Sequence, residues 1–221
     1  MRGLPLILVC FCCYAQDPLS LVREWIPLNI GDRWVYDYES RNGPHSVPEI
    51  ERSQKRITVT SIETIPEGTL VHRSVDGGAQ SESNILVRDN CLYILHSFRR
   101  SGNGAYGWDE PKQQLTEHFR ADLLKGTVLP TVCLPLAIGK TWGDPNKGRD
   151  LWTVAGMGAK NPDDPSSVTP DSWRLEAGLA SGDDDYIWFK KGVGIMAERT
   201  YHNGTYSDYR VSLVRFDAVP R

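Results

Sequence analysis

Polar and apolar positions alternate with a period of two over much of the chain, the signature of half-buried strands. Trp34, Tyr36 and Tyr38 alternate with Val35, Asp37 and Glu39, so a strand from about Arg33 to Ser40 carries three aromatics on one face. Lys55 to Thr64, Thr69 to Val75, Ile85 to Asp89 and Cys91 to His96 read as further strands. Pro66-Glu67-Gly68, Asp76 to Ser83 and Asp89-Asn90 separate them as turns, and Arg41 to Gln54 reads as a loop. Leu151 to Met157 sets Trp152 and Val154 on one face, and Ser172 to Leu179 alternates Trp173, Leu175 and Ala177. After an acidic turn, Ser181 to Asp185, a short aromatic strand runs from Tyr186 to Phe189. Ile195 to Tyr201 and Tyr206 to Phe216 flank Asn203-Gly204, the strongest short hairpin signal. Val211 and Leu213 face one way and Val214 and Phe216 the other, so this strand bulges or is covered on both faces.

A helical period occurs in two places. Leu19, Leu21, Val22 and Trp25 form a short stripe behind Asp17-Pro18, a plausible cap and first position. Gln113 to Lys125 places Leu115, Phe119 and Leu123 four apart, with Gly126 as a C-terminal stop. The predicted class is mainly β: a single curved antiparallel sheet, half-barrel or open barrel-like, with one or two short helices.

One phrase occurs twice. Pro27-Leu28-Asn29-Ile30-Gly31-Asp32-Arg33-Trp34 returns as Pro135-Leu136-Ala137-Ile138-Gly139-Lys140-Thr141-Trp142. Each reads as an extended arm with Leu and Ile on one side, a II′ turn opening at Gly, and a strand begun by Trp. Nothing outside the phrase aligns, so a chance likeness of two short stretches is the bland alternative.

Composition places this sheet outside the cytoplasm. Arg2 followed by the apolar run Leu4 to Cys13 and by Cys13-Tyr14-Ala15 resembles an export signal cleaved after Ala15. This leaves 16–221 as one exported domain, periplasmic or secreted. A lipid anchor fits less well, because Val9, Phe11 and Cys12 are poor neighbours for a lipidated Cys. Cys91 and Cys133 then remain as a pair in an oxidising compartment and are expected to form a disulfide. A net charge of −3 gives neither a nucleic-acid surface nor a polybasic membrane anchor.

The opening Pro27 to Tyr36, the repeat Pro135 to Trp142 and the closing stretch Tyr186 to Glu198 with its Gly192-Val193-Gly194 resemble a loose group of bacterial secreted proteins and lipoproteins. The resemblance implies a curved antiparallel sheet and export. It transfers no catalytic residue, and Tyr106 to Gly126 has no counterpart in it.

Candidate chemistry is sparse. The five histidines show no ligand spacing, and no phosphate loop or nucleophile elbow is present, so neither cofactor nor metal is expected. Asp163-Asp164 and Asp183-Asp184-Asp185 lack the alternate spacing of a calcium loop and read as solvated turns. Glu176 with Glu198, or Asp37 with Glu39, are the carboxylate pairs that a polysaccharide hydrolase would need. Seven tryptophans and nine tyrosines supply either core or a concave binding face. Tyr106 and Trp108, beside a Gly-rich stretch, and Trp34, Tyr36, Trp142 and Trp188 are the candidate binding aromatics. The leading expectation is a non-catalytic module of the cell envelope, binding a small molecule or an envelope protein. A secreted hydrolase and a purely structural domain are the alternatives.

Overall fold

The computed structural model describes residues 19–42, 49–77, 80–98, 117–126, 128–143, 151–158, 171–178, 183–202 and 207–220. Twelve strands form one antiparallel sheet. The first six are β1 (Arg33–Asn42), β2 (Glu49–Ile65), β3 (Gly68–Asp76), β4 (Gln80–Arg88), β5 (Cys91–Phe98) and β6 (Val132–Cys133). The other six are β7 (Thr141–Gly143), β8 (Leu151–Met157), β9 (Ser172–Gly178), β10 (Asp183–Lys190), β11 (Gly194–His202) and β12 (Ser207–Asp217). The spatial order is β6-β5-β4-β3-β2-β1-β12-β11-β10-β9-β8-β7. Each half is a meander, and the first and last strands meet at the centre. The sheet curls into a nearly closed barrel, so mainly β with two short helices is what the chain forms.

The two edges, β6 and β7, are joined by residues 134–140. Trp142 Nε1 donates to Pro130 O at 3.0 Å, and Lys140 Nζ donates to Cys133 O at 2.9 Å and Pro135 O at 2.8 Å. Cys91 and Cys133 face each other in the β5–β6 register and are disulfide-bonded. The seam is therefore bridged by the Trp142 indole and the connecting residues 134–140, while the disulfide pins the edge strand β6 to β5.

The repeated phrase builds the same corner twice. At the first, Gly31 N donates to Val59 O, Val59 N to Asp32 O, and Asp32 N to Asn29 O. At the second, Gly139 N donates to Val154 O, Val154 N to Lys140 O, and Lys140 N to Ala137 O. Gly31 (φ 96°) and Gly139 (φ 77°) occupy the second central position of their turns, a type II arrangement rather than the expected II′. The Ile before each Gly is consequently at the turn's first central position, not on a strand. Leu28 and Leu136 are buried while Ile30 and Ile138 are exposed, so Leu and Ile do not share a face.

Both corners lean on a bulge. The register of β2 slips between Val59 and Ser61, and that of β8 between Val154 and Gly156. A third bulge lies in β12, where Val35 faces Arg215 and Tyr36 faces Leu213. It leaves Val214 outside and lets Val211, Leu213 and Phe216 all pack inward.

Helix α1 (Ser20–Trp25) fills one end of the barrel. Leu19, Val22, Trp25, Ile26 and Leu28 belong to the same core as Trp34, Trp152, Leu175 and Phe189. Trp25 packs on Trp173 and Phe189, at ring distances of 6.3 and 6.2 Å. Gly194 (φ 92°) admits Ile26; a Cβ there would lie 2.9 Å from its side chain. Its neighbour Val193 accepts the Trp34 indole proton at 2.8 Å. Leu19 is the N-cap, without a side-chain cap, and Asp17-Pro18 lie outside the described residues. Helix α2 (Glu117–Lys125) covers the outer face instead, where Leu123 joins Leu70, Leu86 and Leu95.

Three expected connections are partly strand, among them the turn Asp76 to Ser83, whose Gln80 to Ser83 opens β4 against β5. Glu49 to Gln54 extends β2 along β1, because the ladder partners Asp37 to Asn42 are available. Asp183 to Asp185 opens β10, sandwiched between β9 and β11.

Candidate functional site

At the opposite end from α1, the barrel interior is not filled. A cavity of about 260 Å³ communicates with solvent there. Alternation places its lining: Tyr36 and Tyr38 on β1, Lys55 and Ile57 on β2, Arg73 on β3, Ser83 on β4, Ile94 on β5, Ile195 and Glu198 on β11, Tyr209 and Val211 on β12. Apolar side chains and tyrosine rings form most of the wall. Three charged groups interrupt it.

Arg73 is only 6% exposed. Its Nε donates to Ser83 O and its Nη2 to Ser83 Oγ at 2.7 Å, while its backbone N–H donates to Asn84 Oδ1 at 2.9 Å. The guanidinium is thus fixed, yet no carboxylate among the described residues pairs with it. Burial pushes it down to about 10, with the Tyr36 hydroxyl and Glu198 opposing, so it stays charged at neutral pH. A buried cation without an ionic partner is costly.

Glu198 faces Val211 and Ile187 in the ladders and points into the cavity. It makes no hydrogen bond or ion pair with a described residue. Burial pushes its carboxyl up to about 7; Arg73 and Lys55 pull it down and Asp185 pushes it further up. Lys55 Nζ sits 4.0 Å from the centroid of the Tyr38 ring, a cation–π contact. Burial lowers its pKa, against the pull of Glu198. The Tyr38 and Tyr209 rings stack at 6.0 Å, and Tyr36 Oη donates to Ile195 O at 3.0 Å. Burial raises all three tyrosines, which stay neutral donors.

Of the four expected aromatics that fall among the described residues, only Tyr36 lines the cavity. Trp34 and Trp142 are buried in the core, stacked on Phe216 and Trp152 at 5.2 and 6.4 Å. Trp188 is buried on the other face of β10 from Ile187 and Phe189, beside Tyr186. Tyr106 and Trp108 lie outside the described residues, as do Asp163 and Asp164.

The paired carboxylates do not assemble. Glu198 points inward and Glu176, on the other face of β9 from Leu175 and Ala177, is paired with Arg174 at 3.2 Å. Asp37 and Glu39 share the outer face; Glu39 is clasped by Arg41 and Arg52, each at 2.9 Å, which holds its carboxyl low. Glu198 is the one carboxylate among the described lining residues. No group of three metal-ligating side chains occurs among the described residues, and none of their helices is long and apolar enough to cross a membrane.

Lys55, Arg73 and Glu198 were not singled out together by sequence reasoning. Arg73 was legible, being in phase with Val71 and Val75. Glu198 was named only as a partner for Glu176, and its inward placement was not legible, because the β10–β11 register slips between Trp188 and Phe189, passing over Met196 and changing the inward phase.

Fold and cavity together define an antiparallel barrel, plugged by a helix at one end and hollow and charged at the other. The chain matches no protein-family model and no curated protein. Among solved structures it is similar to a "putative exported protein with YmcC-like fold" from Bacteroides fragilis NCTC 9343. There the identity is 9% and the TM-score 0.38, with 88% of this chain and 99% of that one covered. It is also similar to a "putative lipoprotein" from Parabacteroides distasonis ATCC 8503, at 11% identity and a TM-score of 0.40, covering 87% of this chain and 97% of that one.

Proposed function

We propose that the chain is an exported, non-catalytic module of the cell envelope that holds a small molecule in the open end of its barrel. The carrying observation is the cavity itself: a solvent-connected hollow inside the barrel, with apolar and tyrosine walls and charged groups placed within. Ligand sites have this make-up, mostly apolar with a few placed polar groups. Export rests on the signal-like run Leu4 to Cys13 and on the Cys91–Cys133 disulfide, which belongs to an oxidising compartment.

The test is native mass spectrometry of the protein purified from its own envelope, beside a Val211→Trp variant that plugs the cavity. The native chain should retain a small-molecule mass that the variant loses. Recovery of the native chain without added mass would overturn the proposal.

A further inference from the structure

The cavity's charges specify a ligand class, an inference that rests on the binding reading above. Arg73 is buried, fixed through Ser83, and without a carboxylate partner among the described residues. Its Nη1 donors remain for a guest. A guest cation would compete with Lys55, whose ammonium already occupies the face of the Tyr38 ring. The fixed guanidinium therefore offers a vacancy for an anion, while Lys55 already holds the aromatic face that a guest cation would seek. Ile57, Ile94 and Val211 offer the guest's remainder an apolar wall.

We propose that the chamber takes a small anionic amphiphile, its acid group on Arg73 and its apolar body against Ile57, Ile94 and Val211. Glu198 tunes this binding. Arg73 on β3, Lys55 on β2, Asp185 on β10, Tyr36 and Tyr38 on β1, and Tyr209 on β12 act on it. A protonated Glu198 offers the acid group a hydrogen bond; an ionised one repels it. Affinity for an anion therefore falls as pH rises through about 7.

Calorimetric titration with sodium octanoate, octanol and octyltrimethylammonium tests this on the whole protein. At about pH 6 octanoate, already ionised, should bind at least about tenfold tighter than either analogue. Arg73→Gln should lose about tenfold or more in octanoate affinity. Glu198→Gln, which keeps the fixed guanidinium, should bind octanoate equally at about pH 6 and pH 8.5, whereas the native protein weakens several-fold. Equal binding of octanol or the ammonium compound, or a Glu198→Gln variant with the native pH dependence, would overturn the anion assignment and leave the binding module standing. If none of the three binds while native mass spectrometry finds a retained molecule, only the anion assignment falls; if neither method finds a ligand, both fall.

Discussion

The two ends of the barrel are built from the same strands and to opposite rules. At the α1 end Trp25, Trp173 and Phe189 interlock and Ile26 presses on Gly194. At the other end the same inward phase carries Lys55, Arg73 and Glu198 around a hollow. The first arrangement stabilises by burying apolar area. The second costs stability, because charges leave water without full pairing. A fold keeps such a hollow when a site requires it, which is why the open end is read as functional and the filled end as structural.

Several changes would break or sharpen this contrast. The largest effect belongs to the filled end: Trp25→Ala should cost about 4 kcal/mol in denaturant unfolding, from lost transfer energy plus a cavity. Octanoate binding at the far end should survive it.

Next come the corners. Buried Asp32 accepts from Asn29 N at 2.7 Å, Asn29 Nδ2 at 3.0 Å and Val219 N at 2.9 Å, which ties the first corner to the chain's last residues. Asp32→Ala strands these donors and should cost about 3 kcal/mol. Lys140, its counterpart in the second corner, holds only two carbonyls from a partly exposed position. Lys140→Ala should cost about 1 kcal/mol. Equal losses at the two sites, read by chemical denaturation, would show that shared backbone geometry rather than these side chains sets corner strength.

Much of the fold was legible because strand alternation is local. The run Leu151 to Met157 is predicted with the bounds that β8 has, and of the two readings of the split phase of Val211 to Phe216, a bulge or cover on both faces, the bulge is what lies at Val214. The twin Trp34 and Trp142 stand at the starts of β1 and β7, as the repeated phrase implies, but are buried in the core rather than offered to a ligand. What escaped depended on non-local partners. The turn type followed from Val59 and Val154, far along the chain, accepting the glycine N–H. Asp183 to Asp185 became strand because neighbours lie on both sides, with Thr200 Oγ1 donating to Asp185 Oδ1 at 2.5 Å. Within the candidate site, Tyr36 was visible as an in-phase aromatic. Glu198 was a named carboxylate, but its inward face was hidden by the slip at Met196, which sequence alternation alone does not register.

The central claim is that Glu198 is held in a desolvated, charged chamber. Its folded carboxyl is raised from 4.5 to about 7, so the folded state binds more protons than the unfolded state between those values. Stability contributed by the neutral acid is present below about 4.5 and is lost as pH rises through about 7. The most direct measurement is the unfolding free energy of the native protein and of Glu198→Gln at matched pH values across that window. The account predicts that the variant gains on the native protein as pH rises, by up to about 3 kcal/mol above pH 7; parallel curves at all pH values would contradict it.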